Sequence, residues 1–334
     1  MKIGWFMYGP KRVPGSRIQG WNMHDYLLSK GIDSNIIFAQ EGYNTNFNFS
    51  KKQINNFLKK FYDMIIVHKI ETGKNFYYFI NQAHKKGMKV IFIGLDSFNV
   101  KFASICDGIL VVSKYLQNII LKKYRKKTYF IFDGYEHDGK NHKKHSNKKK
   151  IKLVFITTNL HKKFPYIDEL PKNVNLTVIS HPKKRLKMFA KHGISYSEVF
   201  PETKFKFNYV EWNLKTVEDE ILKCDVAVIP VPGFNKEEYV KKKSSNRLIL
   251  FMSLGLPTIA SPIAEYKPLI KQGKNGFLAK NSEEWIKYIE YLRDNPSKRK
   301  ITGNHARKDI VPKYSKEAQG ELYLKIFKKI LKQK

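Results

Sequence analysis

The chain has 334 residues, more than one hydrophobic core usually organises, so its length calls for two domains of ordinary size. With 42% apolar and 14% aromatic residues it has the material for real cores, and its two cysteines, Cys106 and Cys224, exclude a disulfide framework or a cysteine-built metal site. Its 63 Lys+Arg against 29 Asp+Glu, formally +34, favour polyanionic neighbours such as an anionic membrane surface or lipid-linked phosphates; nucleic acid is disfavoured, because the lysines are spread and no arginine cluster or recognition motif accompanies them.

No run approaches the roughly 18–20 apolar residues of a membrane span. The opening MKIGWFMYGPKR reads as a buried strand and a turn rather than a signal peptide, which leads to the expectation of a cytoplasmic protein, with a peripheral place on the membrane face as an option. From there the first half alternates short apolar runs with amphipathic stretches of helical length, the mark of a parallel α/β sheet. Strands are expected at 2–8, 34–40, 64–69, 89–96, 107–113 and 129–134, and helices at 17–31 and 75–87 with Gly31 and Gly87 as stops.

HDGKNHKKHSNKKK (137–150) contains no apolar residue and reads as a solvated basic linker or a polyanion-binding hinge. A second series follows, with strands expected at 151–158, 175–180, 206–212, 225–231, 258–262 and 276–279, and helices at 216–224 and 247–255. The halves echo each other: Cys106-Asp107 and Cys224-Asp225 each close a helical stretch and open a buried strand. The segment 318–334 is amphipathic and basic, suited to packing across the domains or to lying on a membrane surface. The expected domains are therefore 1–136, the linker 137–150, 151–315, and a basic C-terminal helix over 316–334 that packs back on the first domain.

Two doubly wound sheets bind ligands just beyond the C-terminal ends of their strands. In the first half the loop 9–17 follows a strand and opens a helix, so Gly15, Ser16 and Arg17 are candidates for an acceptor or anion loop. His68, Glu71, Asp96 and Ser113 stand at strand ends, and His68, Glu71 and Asp96 are the candidates to take a proton from an acceptor hydroxyl. In the second half the strand DVAVIPV leads to Gly233 and then to a helix start bearing Ser244, Ser245, Asn246 and Arg247. A helix N-terminus with a guanidinium and amide and hydroxyl donors suits a diphosphate, with an ordinary capped helix start as the alternative.

The order of strand, Pro-Gly loop, SNRLILFMSLGLPTIAS (245–261), GKNGFL (273–278) and DNPSKR (294–299) resembles the donor domain of family-4-type glycosyltransferases of the GT-B fold. The resemblance covers about residues 210–315, and Asn246 and Arg247 fall on that family's Asn-Lys pair. It implies two Rossmann-like domains facing a central cleft and transfer of a sugar from a nucleotide-diphospho-sugar to a glycan or lipid-linked acceptor, in cell-surface polysaccharide or glycoconjugate synthesis. No metal cofactor is expected. It further implies donor-phosphate contacts from Asn159, His161 and Lys162. Trp212, after the third strand of the second half, is a candidate to border the nucleobase, with a packing role as the alternative. The family's two glutamates fall on Lys242 and Leu250, so the alternative is a non-catalytic binding subunit of the same fold.

Overall fold

The computed structural model describes residues 1–41, 45–70, 72–94, 99–124, 127–157, 164, 166–182, 204–234 and 238–332. The chain divides into two units, Met1–Glu136 with Lys242–Ser244 and Tyr314–Lys334, and His137–Lys241 with Ser245–Lys313.

The first unit is built on six parallel strands: β1 (Lys2–Met7), β2 (Asp33–Ala39), β3 (Met64–His68), β4 (Lys89–Gly94), β5 (Gly108–Val111) and β6 (Thr128–Phe130), in the order β2-β1-β3-β4-β5-β6. All pairings are parallel, and β1, β3, β4 and β5 are runs of Val, Ile, Phe and Met buried on both faces, as a helix-covered parallel sheet requires. The period-2 alternation of a strand divides β1 between two cores. Phe6 enters an aromatic cluster with Phe47, Phe57 and Phe79 at ring distances of 5.6, 5.5 and 5.2 Å. Ile3, Trp5 and Met7 face the other way, towards Met23, Leu27, Tyr323, Phe327 and Ile330.

Those last residues belong to the C-terminal helix, Lys316–Leu331, which lies in the first unit against the helix Asn22–Ser29. Ser315 starts it by accepting from the Ala318 N–H. Gly320 makes the close approach possible, since a Cβ there would stand 2.2 Å from the Tyr26 ring. Buried polar contacts fix its register: Gln319 donates to Gln19 Oε1 at 3.0 Å and accepts from the Gly134 N–H at 3.1 Å, and Tyr323 donates to the Gln19 carbonyl.

The second unit repeats the scheme with β7 (Ile151–Ile156), β8 (Val174–Ser180), β9 (Phe207–Glu211), β10 (Val226–Ile229), β11 (Thr258–Ala260) and β12 (Phe277–Leu278). Their order is β12-β11-β10-β7-β8-β9, again all parallel. In chain order within the unit this is the 3-2-1-4-5-6 arrangement of dinucleotide-binding domains. The helices Val217–Leu222, Asn246–Ser253, Ser282–Asp294 and Pro296–Ile310 belong to this unit.

The basic stretch 137–150 is mostly exposed, as a solvated linker requires, but it belongs to the second unit and is pinned there at several points. His137 bonds Ser253 Oγ at 2.7 Å, and His145 bonds the Gly255 carbonyl at 3.1 Å. The buried Lys143 ammonium pairs with Asp225 at 3.0 Å and donates to the Leu222 carbonyl. Arg299, wholly buried on the helix Pro296–Ile310, donates to the carbonyls of Ser146 and Lys148 at 2.7 and 2.9 Å. The stretch has no apolar residue because backbone carbonyls and charges, rather than side-chain burial, hold it.

Candidate active site at the strand switch points

In each sheet the direction of winding reverses once, and loops leaving the C-terminal ends of the strands on either side of that reversal diverge to leave a binding crevice. The reversals lie between β1 and β3 in the first unit and between β7 and β10 in the second.

In the second unit, the helix Asn246–Ser253 follows β10, and Ser245 at its N-cap position is 5% exposed. Arg247, in the first turn, reaches across the reversal and donates from Nη1 to the carbonyl of Ile156, the last residue of β7, at 3.0 Å. The buried Tyr266 phenol feels the same guanidinium: burial pushes its pKa upward and the Arg247 charge partly offsets that. The guanidinium is thereby fastened to the end of β7 at the switch point. The first turn of an α-helix leaves unpaired N–H groups beside it, and the two together form a positive, donor-rich corner suited to an anion.

The loop after β10 is fixed independently: Ser261, following β11, accepts the Val231 N–H at 2.9 Å, and Gly233 adopts φ 69°, where glycine is at no disadvantage. Ser245, Asn246, Arg247 and Gly233 therefore occupy this end of the sheet, while Ser244 is half-buried and falls in the first unit. Trp212 is half-buried just beyond β9, at the sheet edge and two strands from β7; its N–H donates to the Ser180 carbonyl. Asn159, His161 and Lys162 lie outside the described residues. Leu250, where the resemblance calls for glutamate, is half-buried on the same helix as Arg247.

In the first unit, His68 ends β3 with no exposed surface and, among the described residues, no hydrogen-bond partner at either ring nitrogen. Its ring meets Tyr8 edge-on at 5.1 Å, and Nδ1 faces Gly20, where a Cβ would come within 3.2 Å. Gly20 sits in a π-helical turn, Arg17–Trp21, and such turns recur at functional sites. Lys69, directly after His68, has φ 49°, a left-handed backbone that is strained for a side-chain-bearing residue. Burial and the Lys69 charge lower the His68 pKa to about 3, so the imidazole is neutral. Glu71 and Asp96 lie outside the described residues.

Two expectations for this unit are corrected by its contacts. Arg17 is not a free cation for an anion loop: it is 4% exposed and its fork is filled by Glu136, through Nε at 2.7 Å and Nη2 at 2.9 Å. Ser16 Oγ donates to the Gly9 carbonyl, and Gly15 lies in the helical turn Pro14–Ser16 between Val13 and Arg17, so this loop is closed by its own bonds. Ser113, rather than facing a ligand, is fully buried and accepts the Leu116 N–H as the cap of the helix Lys114–Tyr124.

Sequence reasoning missed Tyr266, and also Glu265, a carboxylate only 6% exposed in the same loop. The available signal was their place just after a strand end, in SPIAEY.

No protein-family model matches the chain, and no curated protein sequence matches it. Solved structures do. A glycosyltransferase from Rickettsia africae aligns with a TM-score of 0.72 at 14% identity, over 100% of this chain and 99% of that one. HepE from Anabaena, solved with UDP and glucose, aligns at 0.66 with 12% identity, over 98% of this chain and 100% of its own. TarM aligns at 0.60 with 17% identity over 82% of this chain, and the match spans 57% of TarM's length. The chain accordingly has the GT-B fold, two parallel-sheet α/β domains in succession.

Proposed function

We propose that this chain transfers a sugar from a nucleotide-diphospho-sugar to a glycan or lipid-linked acceptor, in the assembly of a cell-surface polysaccharide or glycoconjugate. The observation that carries the reading is Arg247, set in the first turn of its helix and held across the β7/β10 switch point. HepE has been crystallised with UDP and with UDP-glucose, and TarM with UDP and alpha-GlcNAc-glycerol; both share the fold.

Breaking the bond from the sugar to the diphosphate builds charge on the leaving oxygen, and preorganised donors aimed at that charge lower the barrier. Arg247 and the N–H groups of the first helical turn carry that role, with Ser245 and Asn246 beside them. Asn159, His161, Lys162, Ser244 and Gly233 complete the proposed donor contacts, and Trp212 the nucleobase border. This reading asks for no bound metal, because the positive charge comes from the guanidinium and the helix terminus. At the other switch point His68, Glu71 and Asp96 are the proposed groups to take the proton of the acceptor hydroxyl; His68 is sealed against Tyr8 and Gly20, so it takes that part only where the end of β3 opens.

The test is UDP binding by calorimetry, followed by UDP release from a panel of UDP-sugars. Arg247→Gln is expected to weaken UDP binding by about 10–100-fold, the worth of a lost charge-assisted hydrogen bond or two. Unchanged affinity in that variant would place the diphosphate elsewhere. The half-buried Leu250 favours a second reading, a subunit that binds a nucleotide without turnover. UDP binding with no UDP release from any donor, with acceptor glycans present, would decide for it.

A further inference from the structure

The first unit carries a second concave surface, at the opposite end of the strands from the switch point, where Met1 and Ile32 lead into β1 and β2. An open groove of about 490 Å³ is lined by Met1, Lys30, Ile32, Leu324, Lys328, Leu331 and Lys332. Its floor is aliphatic, from Ile32, Leu324 and Leu331, and its rim is lysine. The C-terminal helix extends that rim: Lys325, Lys328, Lys329 and Lys332 recur at the spacing of one helical face, and all four are exposed. Leu28, 49% exposed on the helix Asn22–Ser29, adds apolar surface in the same unit. The acidic side chain on this stretch of helix, Glu321, is taken up by Lys30 at 3.3 Å and by the Tyr26 hydroxyl.

From this pairing of an aliphatic floor with a lysine rim we infer that the groove and the C-terminal helix form a docking surface for an anionic lipid bilayer. Lysine stems lie along apolar surface while their heads reach outward, so the rim meets headgroup phosphates as the floor takes the aliphatic layer beneath. Nucleic acid fits the surface less well, because phosphates make no use of an aliphatic floor, and no arginine or aromatic side chain lines the groove to read or stack a base. The attraction is also local. A comparable groove of about 530 Å³ in the second unit carries Glu169, Glu283, Glu290 and Asp294 against one lysine, Lys287, with Arg293 paired to Glu290 and Asp294, so it offers an anionic surface much less. Among the described residues no helix is long and apolar enough to cross a membrane, so the contact is one of lying on the surface.

The experiment is co-sedimentation of the full chain with vesicles of phosphatidylcholine alone and with 30% phosphatidylglycerol. Binding is expected only to the anionic vesicles. Reversing two rim charges in Lys328→Glu/Lys332→Glu should cut it by tenfold or more, since each lysine near such a surface contributes a several-fold gain. A control with the same charge change, Lys298→Glu/Lys300→Glu on the helix Pro296–Ile310 of the second unit, should retain most of the binding. Equal loss in both variants would reduce the effect to bulk charge and overturn the docking surface, as would absence of binding to anionic vesicles. A duplex DNA fragment that binds at physiological salt, displaces the vesicles and is lost only in the rim variant would overturn it in favour of nucleic acid. UDP binding measured on the same variants keeps this separate from the proposed transferase activity: the rim variant should bind UDP like the parent, and an unchanged unfolding midpoint shows that the first unit, which carries the rim, is folded.

Discussion

An imidazole sealed in a protein with both nitrogens idle costs stability, and His68 is in that position. Replacing it with an apolar side chain of similar size removes the unmet hydrogen-bonding demand, so His68→Leu is expected to raise stability at pH 7 by about 1–2 kcal/mol in urea denaturation. If His68 takes the acceptor's proton as proposed, the same variant loses transfer, and a more stable but inactive protein is the signature to look for. A variant that is both less stable and fully active would instead make His68 a packing residue. The pH dependence follows from the same burial. The folded pKa of about 3 lies below the unfolded value of 6.5, so the unfolded chain takes up the proton first. The contribution is complete above pH 6.5 and is lost as pH falls towards 3, by up to about 5 kcal/mol at roughly 1.4 kcal/mol per unit. His137 and His145, each lowered to about 4 mainly by burial, steepen the loss in the second unit. Acid titration of stability should therefore fall less steeply in His68→Leu than in the parent between pH 6.5 and 4.

At the scale of elements, an aspartate before a strand recurs as a fastening. Asp63 accepts the Lys2 N–H at 2.6 Å, Asp107 the Val90 N–H at 2.7 Å and Asp225 the Lys152 N–H at 2.9 Å; each ties the start of its own strand to a neighbour's. The Cys-Asp echo between the two halves is this device, visible in sequence as a pattern and explained only by the sheet. Helix contacts are set by a different residue type. At Gly320 a Cβ would stand 2.2–2.4 Å from the Tyr26 ring, which is itself held by Glu321 and capped by Lys30. Gly320→Ala should then cost about 1–3 kcal/mol as an overpacked contact, read as a lowered unfolding midpoint, although alanine is the better helix former. A neutral or stabilising result would mean that the C-terminal helix shifts on its seat. The twelve strands were legible from apolar runs, most plainly β1, β3, β4, β5 and β10, because parallel strands buried on both faces have no alternation to obscure them. The fastening of the stretch 137–150 was not, because Lys143 finds its partner in Asp225 and Arg299 finds the carbonyls of Ser146 and Lys148, pairings between segments far apart in sequence. The corner proposed for the diphosphate rests on Ser-Ser-Asn-Arg in the sequence, but only the fold brings Arg247 to the end of β7. Arg17 was misjudged for the reverse reason, since its partner Glu136 is equally remote.

For the whole molecule the dominant electrostatic fact is an excess of 34 positive charges that 29 acidic side chains cannot pair. The buried pairs, Arg17 with Glu136 and Lys143 with Asp225, lie away from solvent ions and are screened little. The remaining lysines stand mostly in water, where their mutual repulsion opposes the folded state, because unfolding lets them separate. Salt should therefore stabilise this protein. Raising NaCl from 10 to 150 mM shortens the screening length from about 30 to 8 Å, and relief of about 1 kcal/mol corresponds to a rise in Tm of about 2–4 °C for domains of this size. Sodium chloride and sodium sulfate compared at equal ionic strength separate screening from binding. Superimposed curves mean that the whole field is being screened. An extra rise with sulfate in the low millimolar range, lost in Arg247→Gln, would instead report an anion held at the β7/β10 switch point, the corner that the donor diphosphate is proposed to occupy. A Tm independent of salt would show that the lysines are far enough apart to ignore one another, and that the charge acts on partners rather than on the fold.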